Sequence, residues 1–133
     1  MDELEESMVN LIVIGIGGFF GAIARYGLTS LLQKDTSSSF PFGTLAANVL
    51  GCFLMGILAY LVQERELFPP ATRGFLLIGL LGAMTTFSTF SIETVRLFQG
   101  GKWMFAFGNI LGSVLLCLGA LILGRFLIKS IVP

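Results

Sequence analysis

The stretch that decides the fold is Phe75-Leu76-Leu77-Ile78-Gly79-Leu80-Leu81-Gly82-Ala83-Met84-Thr85-Thr86-Phe87-Ser88-Thr89-Phe90-Ser91-Ile92-Glu93-Thr94-Val95-Arg96-Leu97-Phe98. It is long enough to cross a bilayer, which takes about 20 mostly apolar residues in a helix. Its middle, residues 82–91, departs from a plain spanning signal. Thr and Ser are poor helix formers, and their hydroxyls compete for backbone groups. Non-helical backbone at membrane depth survives only where protein or a water-filled cavity covers it. The stretch therefore predicts a helix broken near Gly82 to Thr86, with the break buried at the bilayer midplane. The competing reading is one continuous helix whose hydroxyls bond back to their own carbonyls.

Three more apolar stretches flank it, at roughly residues 9–32, 44–62 and 103–128. The loop at residues 33–42 is polar (Lys34, Asp35, Ser37, Ser38, Ser39) and ends near Pro41, which stops helix continuation. The next loop, residues 63–73, carries Glu64, Arg65, Glu66 and the pair Pro69-Pro70. Tyr60 and Trp103 sit near span ends, where amphipathic rings meet the lipid headgroups. Of the 133 residues, 55% are hydrophobic and 12% charged, against roughly 25% charged in an average soluble protein. Mean hydropathy is +0.91. The expected fold is an all-α integral membrane domain spanning residues 1–133, with four transmembrane helices and no soluble part. The acidic start, Met1 to Glu6, offers neither the basic region nor the small-residue cleavage site of a secretory signal, so the first apolar stretch is expected to remain as a helix.

Formal net charge is zero and there is no basic run, so nucleic-acid binding has no electrostatic footing. No histidine is present, and Cys52 and Cys117 read as small buried hydrophobes. The chain reads as a non-enzyme, with no catalytic residues assigned. Lys and Arg near span ends set orientation. Arg65, Arg73, Arg125 and Lys129 fall on one side; Lys34, Arg96 and Lys102 fall on the other, joined by Arg25 if it snorkels that way. This balance predicts insertion in both orientations and, with it, pairing of two chains antiparallel. The alternative is a weakly biased chain oriented by other signals.

The polar residues within spans fall into stripes. Thr44, Asn48 and Cys52 recur every four residues, as do Asn109, Ser113 and Cys117, and the third span adds Thr85, Thr86, Ser88, Thr89 and Ser91. All are neutral, and Glu93 is the only acid well inside a span. Neutral hydroxyl and amide donors suit an anion, whose hydration they replace in part. Phe87 and Phe90 share one side of the third helix, and the positive edge of an aromatic ring also favours an anion. The same residues admit a plainer reading, since Ser, Thr and Asn often only join helices, at about 0.6 to 2 kcal/mol each. The small pairs Gly17/Gly21, Ala47/Gly51 and Gly108/Gly112 read as close helix packing. Arg25 has three readings: snorkelling to the interface, pairing with a helix C-terminus or an acid, or drawing anions to a pore mouth.

Three segments together resemble the Fluc (CrcB) fluoride channels. They are Gly17-Gly18-Phe19-Phe20-Gly21-Ala22-Ile23-Ala24-Arg25-Tyr26, Gly43-Thr44-Leu45-Ala46-Ala47-Asn48-Val49-Leu50-Gly51, and residues 82–91. The resemblance covers essentially the whole chain. It implies an antiparallel dual-topology homodimer in the inner (plasma) membrane, with two pores that export fluoride passively and protect the cell from its toxicity. It further implies that Asn48 is the pore asparagine and that Phe87 and Phe90 line the pores. Thr44 and Ser113 match polar lining residues, with Ser88 and Thr89 beside them. The carbonyls of Gly82 and Thr85 match those that hold one central sodium ion per dimer, and Arg25 matches the first-helix arginine. The fourth helix departs from the pattern: many members carry tyrosine where Asn109 aligns, and serine or glycine where Cys117 aligns. Asn109 keeps its donor ability. The competing function is a small dual-topology drug or cation exporter, which needs a carboxylate in its first span; none is present there. A non-transporting subunit would leave the Thr/Ser/Phe cluster unexplained.

Overall fold

The computed structural model describes residues 3–33 and 40–132. Lys34, Asp35, Ser37, Ser38 and Ser39 of the first polar loop lie outside the described residues, as do Met1 and Asp2. Helix α1 is Glu3–Leu32 and α2 is Phe42–Glu64, whose end, Tyr60–Glu64, is wound as a wider π-helical turn. Helix α3 covers residues 70–84 in three joined pieces: Pro70–Arg73, the π-wound Gly74–Leu81 and Gly82–Met84. Helices α4 (Phe87–Gln99) and α5 (Trp103–Ile131) complete the chain. Taken as spans, α1, α2, α3 with α4, and α5 give four helices long and apolar enough to cross a membrane.

The helix ends follow from local chemistry. Helix α1 starts within the acidic N-terminal run, because Glu5 and Glu6 favour a helix N-terminus. Helix α3 starts at Pro70, whose missing N–H costs nothing in a first turn. It therefore begins five residues ahead of the apolar run at Phe75. Between α4 and α5 the chain reverses at Gly100 and Gly101. Gly101 has φ +71°, a conformation natural only to glycine, and the Lys102 N–H donates to the Leu97 carbonyl at 2.8 Å.

Side-chain contacts set the topology. At one end, Phe40 stacks edge-on against Phe105, with centroids 6.3 Å apart. At the other, Tyr60 Oη donates to the Val132 carbonyl at 3.0 Å, and Glu64 pairs with Arg125. Helices α2 and α5 therefore run parallel along their lengths. Gly56 lies against the Leu121 backbone and Gly124 against the Phe53 backbone, so the two helices touch main chain to main chain. Helices α1 and α3 are joined in the same way: a methyl on Gly17 would sit 2.5 Å from the Phe75 carbonyl oxygen, and one on Gly79 2.5 Å from that of Ile14. The small pair Gly17/Gly21 therefore does bring helices together, whereas Gly51 of the pair Ala47/Gly51 lies against the Thr85 side chain. Gly108/Gly112 does not bring helices together within the chain: Gly112 has nothing within 4 Å of an added methyl, because that side of α5 faces outward.

The bundle is arranged for lipid. Ile12, Ile16, Phe19 and Ile23 on α1 and Leu111, Leu115, Leu118 and Ile122 on α5 are exposed, while Thr44, Asn48, Thr94, Asn109 and Ser113 are buried. Polar groups face inward because nothing in hydrocarbon can hydrogen-bond them. The last helical N–H before the step is that of Thr85, which donates to the Leu81 carbonyl at 3.1 Å, and helix resumes at Phe87. Thr85 (φ −90°, ψ 151°) and Thr86 (φ −150°, ψ 118°) are extended, whereas Gly82 is still helical.

Candidate functional site

The extended Thr85-Thr86 step organises everything around it. An extended residue inside a span exposes its N–H and C=O, which must find partners in a medium without water. Asn48 supplies both for Thr86. Its Oδ1 accepts from the Thr86 N–H at 2.7 Å, and its Nδ2 donates to the Thr86 carbonyl at 3.1 Å. The side-chain amide thus acts as a short adjoining strand, and one Nδ2 hydrogen remains for another acceptor. Thr86 Oγ1 caps α4, accepting from the Thr89 N–H at 3.2 Å and donating to Thr89 Oγ1 at 3.0 Å, with Ser88 Oγ 3.2 Å away.

These bonds free carbonyls on α3. In an unbroken helix the Gly82 carbonyl would receive the Thr86 N–H and the Thr85 carbonyl the Thr89 N–H. Here the first donor goes to Asn48 and the second to Thr86 Oγ1. The neighbouring Ala83 carbonyl accepts from Arg25 Nε at 3.2 Å. Of the three readings of Arg25, the structure displays pairing with a helix C-terminus, where a cation complements the helix dipole. Thr85 Oγ1 bonds back to the Leu81 carbonyl at 3.1 Å, and Thr94 Oγ1 bonds back to that of Phe90 at 2.7 Å. Hydroxyl back-bonding therefore occurs beside the extended step rather than in place of it.

A groove of about 350 Å³ opens against this step. Asn48 and Cys52 form one wall, Ser113 and Cys117 another, and Thr85, Thr86, Phe87 and Phe90 the third. The two rings are 5.3 Å apart and tilted 42°. Phe87 is 79% exposed, so one side of the groove is unfinished within a single chain. A second cavity, about 330 Å³, lies toward the first and third loops and is lined by Gln33, Glu93, Arg96 and Lys102 among others. Thr44 stands between the two cavities: one turn before Asn48 on α2, it donates from Oγ1 to Glu93 Oε1 at 2.8 Å. The other carboxylate oxygen, Oε2, is buried with no hydrogen-bond partner among the described residues.

The structure therefore gathers Asn48, Phe87, Phe90 and Ser113 in one groove and places Thr44 one turn away. Ser88 and Thr89 instead surround the Thr86 cap. Asn109 lies behind the groove, 1% exposed, donating from Nδ2 to Thr94 Oγ1 at 2.9 Å and accepting from Ser113 Oγ at 3.4 Å. Sequence reasoning gave Glu93 and Thr94 no site role and counted Thr86 only among the neutral donors of the third span. The signal for Thr86 was present, since threonine is among the residues favoured at a helix N-cap. The signal for Glu93 was its depth within a span.

Four spanning helices around an inward polar seam define a multi-pass membrane protein. The chain belongs to the CrcB family: the family described as "CrcB-like protein, Camphor Resistance (CrcB)" matches residues 12–125. Its curated relatives include a protein of Ruminiclostridium cellulolyticum, 45% identical over 126 residues (95% of this chain, 97% of the relative). Another, from Magnetococcus marinus, is 49% identical over 111 residues (84% and 90%), and one from Shewanella loihica is 46% identical over 123 (92% and 98%). Each of these three is named "Fluoride-specific ion channel FluC".

Proposed function

We propose that this chain conducts fluoride passively across the inner membrane, through two pores in an antiparallel homodimer, and so lowers fluoride inside the cell. The observation that carries the reading is the groove itself: a buried amide with one hydrogen to spare, a serine hydroxyl and two phenylalanine rings, with no charge among them. Fluoride is small and strongly hydrated, so a pathway must replace its water with donors that also let it go. Relatives named for fluoride conduction are similar over nearly the full chain. The drug or cation exporter is not favoured, because the acids of α1 (Glu3, Glu5 and Glu6) all fall in its first four residues.

The dimer reading rests on two features. Phe87 leaves one wall of the groove unfinished, as a second copy would complete it. The near-equal Lys and Arg content of the two sides gives neither orientation an advantage. Helical spans support the inner-membrane reading, since bacterial outer-membrane proteins are β-barrels. The third span is read as a broken helix whose loose carbonyls face the partner. The Gly82 and Thr85 carbonyls, each without its helical N–H, fit a hard cation that takes neutral oxygen ligands, and two from each chain would hold one sodium ion between the copies. That ion would offer positive charge at the midplane.

Purified protein reconstituted in liposomes tests the reading. Fluoride should leave down its gradient and generate a membrane potential while chloride stays trapped. Well-folded protein that passes no fluoride would overturn it.

A further inference from the structure

Cys52 and Cys117 have no part in the scheme above. Cys52 follows Asn48 by one turn on α2, and Cys117 follows Ser113 by one turn on α5. Both are free, half-buried and on the groove wall. Cys52 stands four residues before Gly56 and Cys117 four before Leu121, the pair whose backbones touch, so the two thiols lie at one level on the facing sides of α2 and α5 and line the same groove. The backbone contacts at Gly56 and Gly124 fix the spacing of those helices one turn further along.

We infer that Cys52 and Cys117 form a two-coordinate site for a soft, thiophilic cation of the mercuric or silver type, and that filling it closes the groove. The closure rests on the groove being the anion pathway; the site itself does not.

The donor set selects the ion. Sulfur ligands favour soft metals, whereas hard cations want several oxygens. Structural zinc takes four ligands, and no group of three or more His, Cys, Asp or Glu is gathered among the described residues. An ion satisfied by two sulfurs in line is what remains. On binding, each S–H bond breaks, both protons pass to water, and two sulfur–metal bonds form with no change of oxidation state. With a sulfur–metal bond of about 2.3 Å, the zinc value, bridged sulfurs stand about 4.6 Å apart. The ion then sits one turn from Asn48 and Ser113, beside the Phe87 and Phe90 rings.

The test is a titration of the purified full-length protein with mercuric chloride. It follows sulfur-to-metal charge-transfer absorbance, the count of free thiols, and fluoride efflux from liposomes made with the same sample. One equivalent per chain should consume both thiols and bring efflux to the level of protein-free liposomes, and excess dithiothreitol should reverse both effects. Cys52→Ser and Cys117→Ser should each lose the two-sulfur absorbance and the consumption of two thiols by one ion. Whatever efflux the double variant has should not respond to mercuric ion. Two ions per chain, one on each thiol, or single variants that titrate like the wild type, would overturn the site. A site filled at one equivalent with efflux unchanged would overturn the closure. Failure of the metal-free protein to pass fluoride would count against the channel reading, and the stoichiometry would still decide the site.

Discussion

The two halves of the third span are made from one continuous apolar stretch, yet they do different work. Helix α3 is bound to α1 by backbone contact through Gly17, Gly21 and Gly79. Its polar link to α1 is Arg25 on the Ala83 carbonyl. Helix α4 is bound through side chains: Glu93 to Thr44 of α2, and Thr94 to Asn109 of α5. It leaves Phe87 turned outward. Small residues give close, rigid packing where no ligand must pass. Polar side chains keep α4 at a distance that leaves room for the groove. Both binding modes serve to join membrane helices, but only the second leaves donors at a cavity wall.

The largest expected effect breaks the first half. In Gly79→Val the new Cβ would meet the Ile14 carbonyl oxygen at 2.5 Å and Gly17 Cα at 2.9 Å, and neither is a flexible side-chain end. The expected cost is about 3 kcal/mol or more. It is read as loss of the monodisperse peak in size-exclusion chromatography and a lower melting temperature in detergent. Next comes the brace between the halves. Asn48→Ala leaves the Thr86 N–H and carbonyl without their partner, at about 2 kcal/mol. Asn48→Asp still accepts from the N–H but sets a carboxylate oxygen against the Thr86 carbonyl, so fluoride efflux should fall strongly while the elution volume stays that of the wild type. Wild-type efflux in Asn48→Asp would remove the residue from the pathway. The smallest effect is Arg25→Leu, which leaves the Ala83 carbonyl open for about 1 kcal/mol, with Arg25→Lys restoring part of the melting temperature. If Arg25→Leu melts like the wild type, the cap contributes no stability.

Much of this architecture was legible in the residues. Four apolar stretches of spanning length gave the helix count, and the Thr/Ser run at residues 82–91 marked the part of the third span where the backbone turns extended. The four-residue spacing of Thr44, Asn48 and Cys52 placed them on one face, and the structure turns that face toward the third span and α5. Periodicity reports which residues share a face but not which face of another helix they meet. That is why Asn109 and Ser113, equally periodic, divide between a buried link and the groove wall. The thiol pair was illegible for the same reason: Cys52 and Cys117 are 65 positions apart, and only the parallel packing of α2 and α5 brings them onto one groove. The Asn48 brace could not be read from sequence either, because the Thr86 backbone groups it satisfies become available only once the helix has stopped.

The account turns on α4 carrying the ion's pathway, and Phe87 is where this is most open to test. Fluoride efflux from liposomes should be compared for wild type and Phe87→Ile, with the elution volume of each recorded on the same preparations. The ring edge is lost while an apolar side chain is kept, so efflux should collapse with the elution volume unchanged. Wild-type efflux from a normally eluting Phe87→Ile protein would contradict the account.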